Sequence, residues 1–375
     1  MNQNHKSLAG MIFHPLNLSM VDHAISELFP FGKIASEHLS PVLKKKLLLN
    51  IPSFRFFSVK GIYSSTGKQI DFNGYMLPLL PEQMVGGDKE RILERISHIA
   101  LSARKDGARI LTLGAFTSIL TDQGRDIVKE MPLAITSGNT YTAALCLNSV
   151  FKIVRKMNID LEQITIGIVG ATGDIGSICA KVLASRARQL ILCSRTINEH
   201  SEVLRYIKEN TSCGLILHKD PNQALKQSDI IICATSAFDV LLDNRNIRPG
   251  SILCDLSMPP NIAKNILKER NDIIAYEAGR AKISTFDKIE NKIWQMLFPE
   301  NSIYGCLAES LILAFEERYE NYSIGRGEIR EEKIEEIFNL GLRHGFDVAD
   351  FACFGYLYQD DDFRRINQIR KSNVN

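Results

Sequence analysis

The stretch ITIGIVGATGDIGSICAKVLASRA, Ile164 to Ala187, decides how the rest of the chain is read. A short β-branched run ends at Gly170, Gly173 and Gly176 follow at three-residue intervals, and apolar residues then recur with helical spacing. Glycines in such a turn let the backbone bend sharply and approach a ligand closely. The helix beyond it offers free N–H groups and the positive end of its dipole to a phosphate. Downstream, QLILCSR (Gln189–Arg195), SDIIICATS (Ser228–Ser236) and GSILCDLS (Gly250–Ser257) are compact apolar runs separated by helical stretches. That rhythm predicts strands of a parallel sheet covered on both faces. The expected architecture is α/β, with a doubly wound, Rossmann-type dinucleotide-binding domain over residues 151–300.

The end of the second strand selects the dinucleotide. An NAD site carries Asp or Glu there to hold the ribose 2′-hydroxyl. Here the strand runs into Ser194, Arg195 and Thr196. A guanidinium pairs with a 2′-phosphate and hydroxyls donate to it, so NADP(H) is expected; the bland reading makes Arg195 a solvated helix-start residue. The remaining cofactor candidates are Gly170, Thr172, Gly173, Asp174, Ile175 and Gly176 of the loop, with Thr235 and Ser236 at a later strand end. Asp255, at the end of another strand, reads equally as a crevice residue or as a loop cap.

Outward from this domain the pattern changes. Residues 1–150 are expected to form an N-terminal α/β substrate-binding domain. It holds two strand-like runs around Ser65-Thr66-Gly67 and an amphipathic helix in KERILERISHIALSARKDG (Lys89–Gly107). Residues 301–375 read as a C-terminal helical segment with a polar, frayed end. The 375 residues are 45% hydrophobic with a net charge of +2, which excludes a strongly basic, nucleic-acid-coating chain. Neither a secretory leader nor a run of the roughly 18 apolar residues that span a membrane is visible. The eight cysteines form no CxxC pair and no zinc spacing, so a cytoplasmic protein without a metal site is expected. Lys44, Lys45 and Lys46 make a local basic patch, read as a solvated face or as a steering surface for an acidic partner.

Several stretches together resemble one family. LGAFTSI, TSGNTYTAA, VGATGDIGS, YGCLAES, LAFE and HGF are similar, in order and spacing, to the cyanobacterial-type long-chain acyl-[acyl-carrier-protein] reductases. The resemblance runs from about Leu8 to about Phe346 and implies NADPH-dependent reduction of a fatty acyl thioester to a fatty aldehyde. It places the family's catalytic cysteine on Cys306, with acyl-carrier protein or coenzyme A as the donor and an aldehyde-consuming enzyme as a further partner. Tyr141 stands where the family commonly has histidine, and residues 347–375 do not match. Alternatives are an oxidoreductase resembling glutamyl-tRNA reductase or shikimate dehydrogenase, and a non-catalytic NADP-binding sensor.

Physical chemistry gives these residues roles. Cys306 lies at the start of the helical run LAESLILAFEERY, where a helix N-terminus is expected to lower a thiol's pKa. Cys193, Cys233 and Cys254 lie in the apolar runs of the sheet and Cys146 and Cys179 in helices, and all five read as inert. Glu309, three residues on, shares a helix face with Cys306 and is either a proton handler or a helix-dipole carboxylate. Ser137, Asn139 and Thr140 cap a helix or donate to a substrate oxygen, and Tyr141 donates or packs. The apolar runs GYMLPLLPEQM and LGAFTSIL line an acyl channel or, more simply, form core.

Overall fold

The computed structural model describes residues 7–28, 38–235, 242–258, 260–285, 289–298 and 301–372. The chain divides into two compact units. One comprises Met1–Gly138, Thr285–Leu297 and Cys306–Gly325, and the other Asn139–Ser284, Phe298–Gly305 and Arg326–Asn375.

The first unit is built on a five-stranded sheet of order β2-β3-β1-β4-β5. Its strands are β1 (Ser7–Phe13), β2 (Phe54–Tyr63), β3 (Gln69–Met76), β4 (Ile110–Leu113) and β5 (Ala134–Thr136). The Ser65-Thr66-Gly67 turn does join two antiparallel strands, β2 and β3, with Gly67 at a φ of +80°. The other pairings are parallel. Helices α1 (Leu18–Leu28), α2 (Pro41–Asn50) and α3 (Lys89–Lys105) accompany the sheet. Asp88 caps α3 by accepting from the Arg91 N–H, and Gly107 follows its end at a φ of +97°. Ile92, Ile96, Ile99 and Ala103 make the helix's buried stripe and pack with Ile12, Leu111 and Leu113. Burying each of the isoleucines contributes about 1.5–3 kcal/mol. Leu77, Leu79, Leu113 and Phe116 belong to this cluster, so the two apolar runs considered as channel walls are core.

The second unit opens with α4 (Asn139–Lys156). A six-stranded, all-parallel sheet follows, of order β11-β10-β9-β6-β7-β8. Its strands are β6 (Thr165–Val169), β7 (Gln189–Cys193), β8 (Gly214–His218), β9 (Ile230–Cys233), β10 (Ile252–Asp255) and β11 (Ile274–Glu277). Between them run α5 (Asp174–Ala184), α6 (Glu202–Asn210) and α7 (Pro221–Gln227). The strand order reverses between β6 and β9, the switch point at which doubly wound sheets bind ligands beyond the carboxyl ends of their strands. Every residue of β6, β9 and β10 is buried, which is why these strands read as unbroken apolar runs. A three-stranded antiparallel sheet completes the unit: β12 (Arg280–Ile283) between β13 (Ser302–Tyr304) and β14 (Phe346–Val348). Three helices close the chain: α8 (Gly305–Phe315), α9 (Glu331–Arg343) and α10 (Asp360–Ser372).

The units do not follow the division at residues 150 and 300. All of α4 belongs with the dinucleotide-binding unit, because its buried face packs on α5 and α9. The stretch from 301 onward is neither one body nor wholly helical. It supplies β13 and β14 to one unit and most of α8 to the other. Up to Ser372 the polar tail is helical, and α10 buries Phe363 and Ile366. Among the described residues no helix is long and apolar enough to cross a membrane.

Candidate active site

Cys306 is the second residue of α8 and is half-buried; of the eight cysteines only it and Cys213 are not fully buried. The segment against it is Thr136-Ser137-Gly138. A Cβ built on Gly138 would stand 2.1 Å from the Cys306 Cα and 2.4 Å from its Cβ, and Gly138 has a φ of +76°. Glycine is therefore required there twice, for conformation and for room. Glu309, one turn further along α8, is fully buried. Its Oε1 accepts from the Thr136 hydroxyl and from the Ser323 hydroxyl at 2.8 Å. Thr136 Oγ1 in turn accepts from the Gly138 N–H at 3.1 Å, and Ser137 Oγ donates to the Ser323 carbonyl at 2.6 Å. Residues beyond α8 hold this arrangement to β5: the Asn321 side chain accepts from the Ile135 N–H, and the Tyr322 N–H donates to the Ile135 carbonyl. Glu309 is thus a buried anchor between α8 and the 136–138 turn, rather than a solvated first-turn carboxylate.

The electrostatics correct the expectation of a low thiol pKa. The Cys306 thiol is pushed up to about 12, chiefly by burial and in smaller part by the Glu309 charge. Hydrogen bonding from the backbone N–H of Leu307 pulls the other way and is outweighed. The free protein therefore holds Cys306 as a thiol at neutral pH.

In the other unit, β6, the glycine loop and α5 make the strand, tight turn and helix on which a phosphate cradle would be built. Gly170 has a φ of +89°, and a Cβ there would stand 2.5 Å from the Ala234 carbonyl oxygen. A Cβ on Gly176 would stand 2.2 Å from the Gly170 oxygen, so the first turn of α5 sits directly on the loop. Gly173 is the N-cap of α5 and brings no side chain to its first-turn N–H groups. Beside the loop, Thr172 Oγ1 lies 2.6 Å from Ser194 Oγ and 3.1 Å from Thr196 Oγ1, with Arg195 exposed between the latter two. A glycine cradle at the switch point, hydroxyls and a cation at the end of β7, and no carboxylate among Ser194, Arg195 and Thr196 fit a dinucleotide with a 2′-phosphate.

Other expected site residues are committed elsewhere. The Asp174 carboxylate accepts from Asn139 Nδ2 at 2.8 Å and from the Gly327 N–H at 2.9 Å, so it ties α4 and the loop before α9 to the start of α5. Ile175 is half-buried and Thr140 is buried. Tyr141 is fully buried, and a Cβ on Gly341 of α9 would stand 2.6 Å from its hydroxyl oxygen. Burial pushes its phenol far above the usual tyrosine range, and the side chain, fully buried, packs against α9. Asp255 caps the loop after β10: its carboxylate accepts from the N–H groups of Ser257, Asn261 and Ile262, and burial raises it to about 6. Thr235 follows β9, with its nitrogen 3.1 Å from the position a Gly170 Cβ would take; Ser236 lies outside the described residues. Thr136 and Ser323 were not anticipated. Thr136 adjoins the SGN glycine turn, whereas nothing in the sequence around Ser323 points across to Glu309.

Over 305 residues the chain is 31% identical to the long-chain acyl-[acyl-carrier-protein] reductase of Synechococcus elongatus, an alignment that spans 78% of this chain and 86% of that one. The chain belongs to the long-chain acyl-[acyl-carrier-protein] reductase family. In this member of the family, residues 152–277 also match the family model of shikimate / quinate 5-dehydrogenase, which covers the parallel sheet through β11. The aminotransferase PigE of a Serratia species is 27% identical over 92% of this chain, which spans only 40% of that relative's length. A glutamyl-tRNA reductase of Methanococcus aeolicus is 26% identical over half of each chain. Family and cradle together make the chain a nicotinamide-dependent oxidoreductase.

Proposed function

We propose that the protein uses NADPH to reduce a long-chain fatty acyl thioester, carried by acyl-carrier protein or coenzyme A, to a fatty aldehyde through an acyl group held on Cys306. The observation that carries this reading is the setting of Cys306: a half-buried cysteine at a helix start, pressed against the glycine of the 136–138 turn, which Glu309 holds in place. Membership of the acyl-[acyl-carrier-protein] reductase family supports the substrate class.

Cys306 Sγ attacks the thioester carbon, the new S–C bond forms as the old one breaks, and the donor thiol leaves with the proton that Cys306 releases. NADPH, when bound, supplies the hydride that makes the acyl carbon an aldehyde carbon. The C–S bond to Cys306 then breaks, and the sulfur regains a proton as the aldehyde departs. Within this scheme the glycine cradle binds and orients the dinucleotide, and Thr172, Ser194, Arg195 and Thr196 favour the phosphorylated ribose.

The test is intact-protein mass spectrometry with a long-chain acyl thioester, alongside aldehyde formation with NADPH. One acyl adduct is expected, lost with the aldehyde in Cys306→Ala. Undiminished aldehyde production by Cys306→Ala would remove the covalent mechanism.

A further inference from the structure

Helix α2 carries three of its four leucines on the outside. Lys44 and Leu48 face inward, and Lys44 is buried in an ion pair with Asp22 at 2.6 Å. Val42 is 77% exposed, and Leu43, Leu47, Leu49, Ile51 and Phe54 are between 40% and 47% exposed. Residues 42, 46 and 49, and residues 43 and 47, make adjacent helical rows, so these aliphatic side chains share one outward face with Lys46 among them. From His38 to Ile70 the sequence contains no Asp or Glu, while Lys45, Lys46 and Arg55 flank the apolar residues. Lys45 is itself half engaged, with Glu82 at 2.6 Å. A contiguous exposed apolar face marks an interaction site.

The composition of the face indicates what covers it. Protein interfaces concentrate their binding in Trp, Tyr and Arg, with Leu and Val under-represented and Lys depleted. This face is aliphatic with Lys46 among its leucines, and α2 itself carries no Asp or Glu, the carboxylates nearby coming from other elements: Glu82 on Lys45 and Asp106 on Arg55. An interfacial helix that lies in a lipid headgroup layer has that composition: aliphatic side chains reach the acyl boundary while lysines meet anionic headgroups. We propose that the α2 face, extended by Ile51 and Phe54, seats the protein on an anionic lipid surface. This does not depend on the thioester chemistry assigned above.

Flotation of the full chain with vesicles tests it, comparing phosphatidylglycerol–phosphatidylcholine mixtures with pure phosphatidylcholine. The wild type is expected to float with the anionic vesicles and to bind less as salt rises. The variant Leu43→Glu/Leu47→Glu should weaken binding at least about tenfold, and Lys46→Glu by about fivefold. If the double variant fails to fold, Val42→Glu, at the most exposed position, replaces it with the same expected direction. Absence of wild-type binding, or variants that bind like the wild type, would overturn the proposal. So would a concentration-dependent dimer in sedimentation that Leu43→Glu/Leu47→Glu dissolves, because the face would then belong to a second copy of the chain.

Discussion

Gly138→Ala probes the tightest contact in the Cys306 setting. Two separate penalties apply. The φ of +76° is left-handed, which costs an L-residue with a Cβ roughly 1–2 kcal/mol. The new methyl would overlap the Cys306 Cα at 2.1 Å, far inside contact distance, and the neighbour is backbone that cannot rotate away. Overpacking of this kind costs roughly 1–3 kcal/mol more, for a total of about 2–5 kcal/mol. Because Cys306 itself must move, the effect on catalysis should exceed the effect on stability. A displacement near 1 Å at a reacting group costs about a hundredfold in rate.

Gly67→Ala is the matched control. Its φ is +80°, but nothing lies within 4 Å of the position its Cβ would take. It should carry the conformational penalty alone, about 1–2 kcal/mol, and leave turnover unchanged. The assays are thermal denaturation, NADPH-dependent aldehyde formation, and the alkylation rate of Cys306 by iodoacetamide, read by peptide mass spectrometry. Gly138→Ala should lose the most in all three. Equal stability losses in the two variants, with normal alkylation and turnover in Gly138→Ala, would refute the claim that this glycine sets the position of Cys306.

Three further outcomes are expected. Glu309→Gln removes a charge that raises the Cys306 thiol, so the pH profile of Cys306 alkylation should shift toward lower pH; slower alkylation with no such shift would make Glu309 the group that takes the thiol's proton. Arg195→Ala should raise the KM for NADPH about 10–100-fold while leaving NADH kinetics alone, the loss typical of a charge-assisted hydrogen bond; equal effects on both cofactors would return Arg195 to a solvated surface role. His14 is buried with its pKa lowered from 6.5 to about 4, chiefly by burial, and its Nε2 accepts from the Phe116 N–H at 3.1 Å. The unfolded chain takes up this proton first, so up to about 3 kcal/mol of stability, present above pH 6.5, should be lost as pH falls toward 4; His14→Gln should flatten acid denaturation curves over that window.

The dinucleotide-binding unit was legible because its elements are local. A strand, a glycine turn and a helix occupy consecutive residues, and burial on both faces writes each strand as an apolar run. The Ser65-Thr66-Gly67 hairpin and α3 were legible for the same reason. What the sequence concealed depends on partners far along the chain. β13 pairs with β12, whose other neighbour β14 comes after α9. Glu309 finds its donors in Thr136, across a separation of 173 residues, and in Ser323. Tyr141, placed among polar residues in TSGNTYTA, gives no sign there that Gly341 leaves the gap that its ring and hydroxyl fill.

The least legible property was the charge state of Cys306, and the reason is one of magnitude. A helix N-terminus favours an anion by about 0.3–1 kcal/mol, less than one pKa unit, and such proximity can be read from sequence. Burial displaces a titrating group by as much as 3–5 units, and it is a property of everything packed around the sulfur. With both acting on one thiol, burial wins, and the buried Glu309 adds to it. On the proposed mechanism the nucleophile is therefore held protonated until the thioester arrives. The proton must then leave in the same step in which the donor thiolate departs and can accept it. A cysteine kept neutral in this way resists adventitious oxidants and alkylating agents, which attack thiolates. The helix start at Cys306 thus positions the sulfur, while burial determines when it can react.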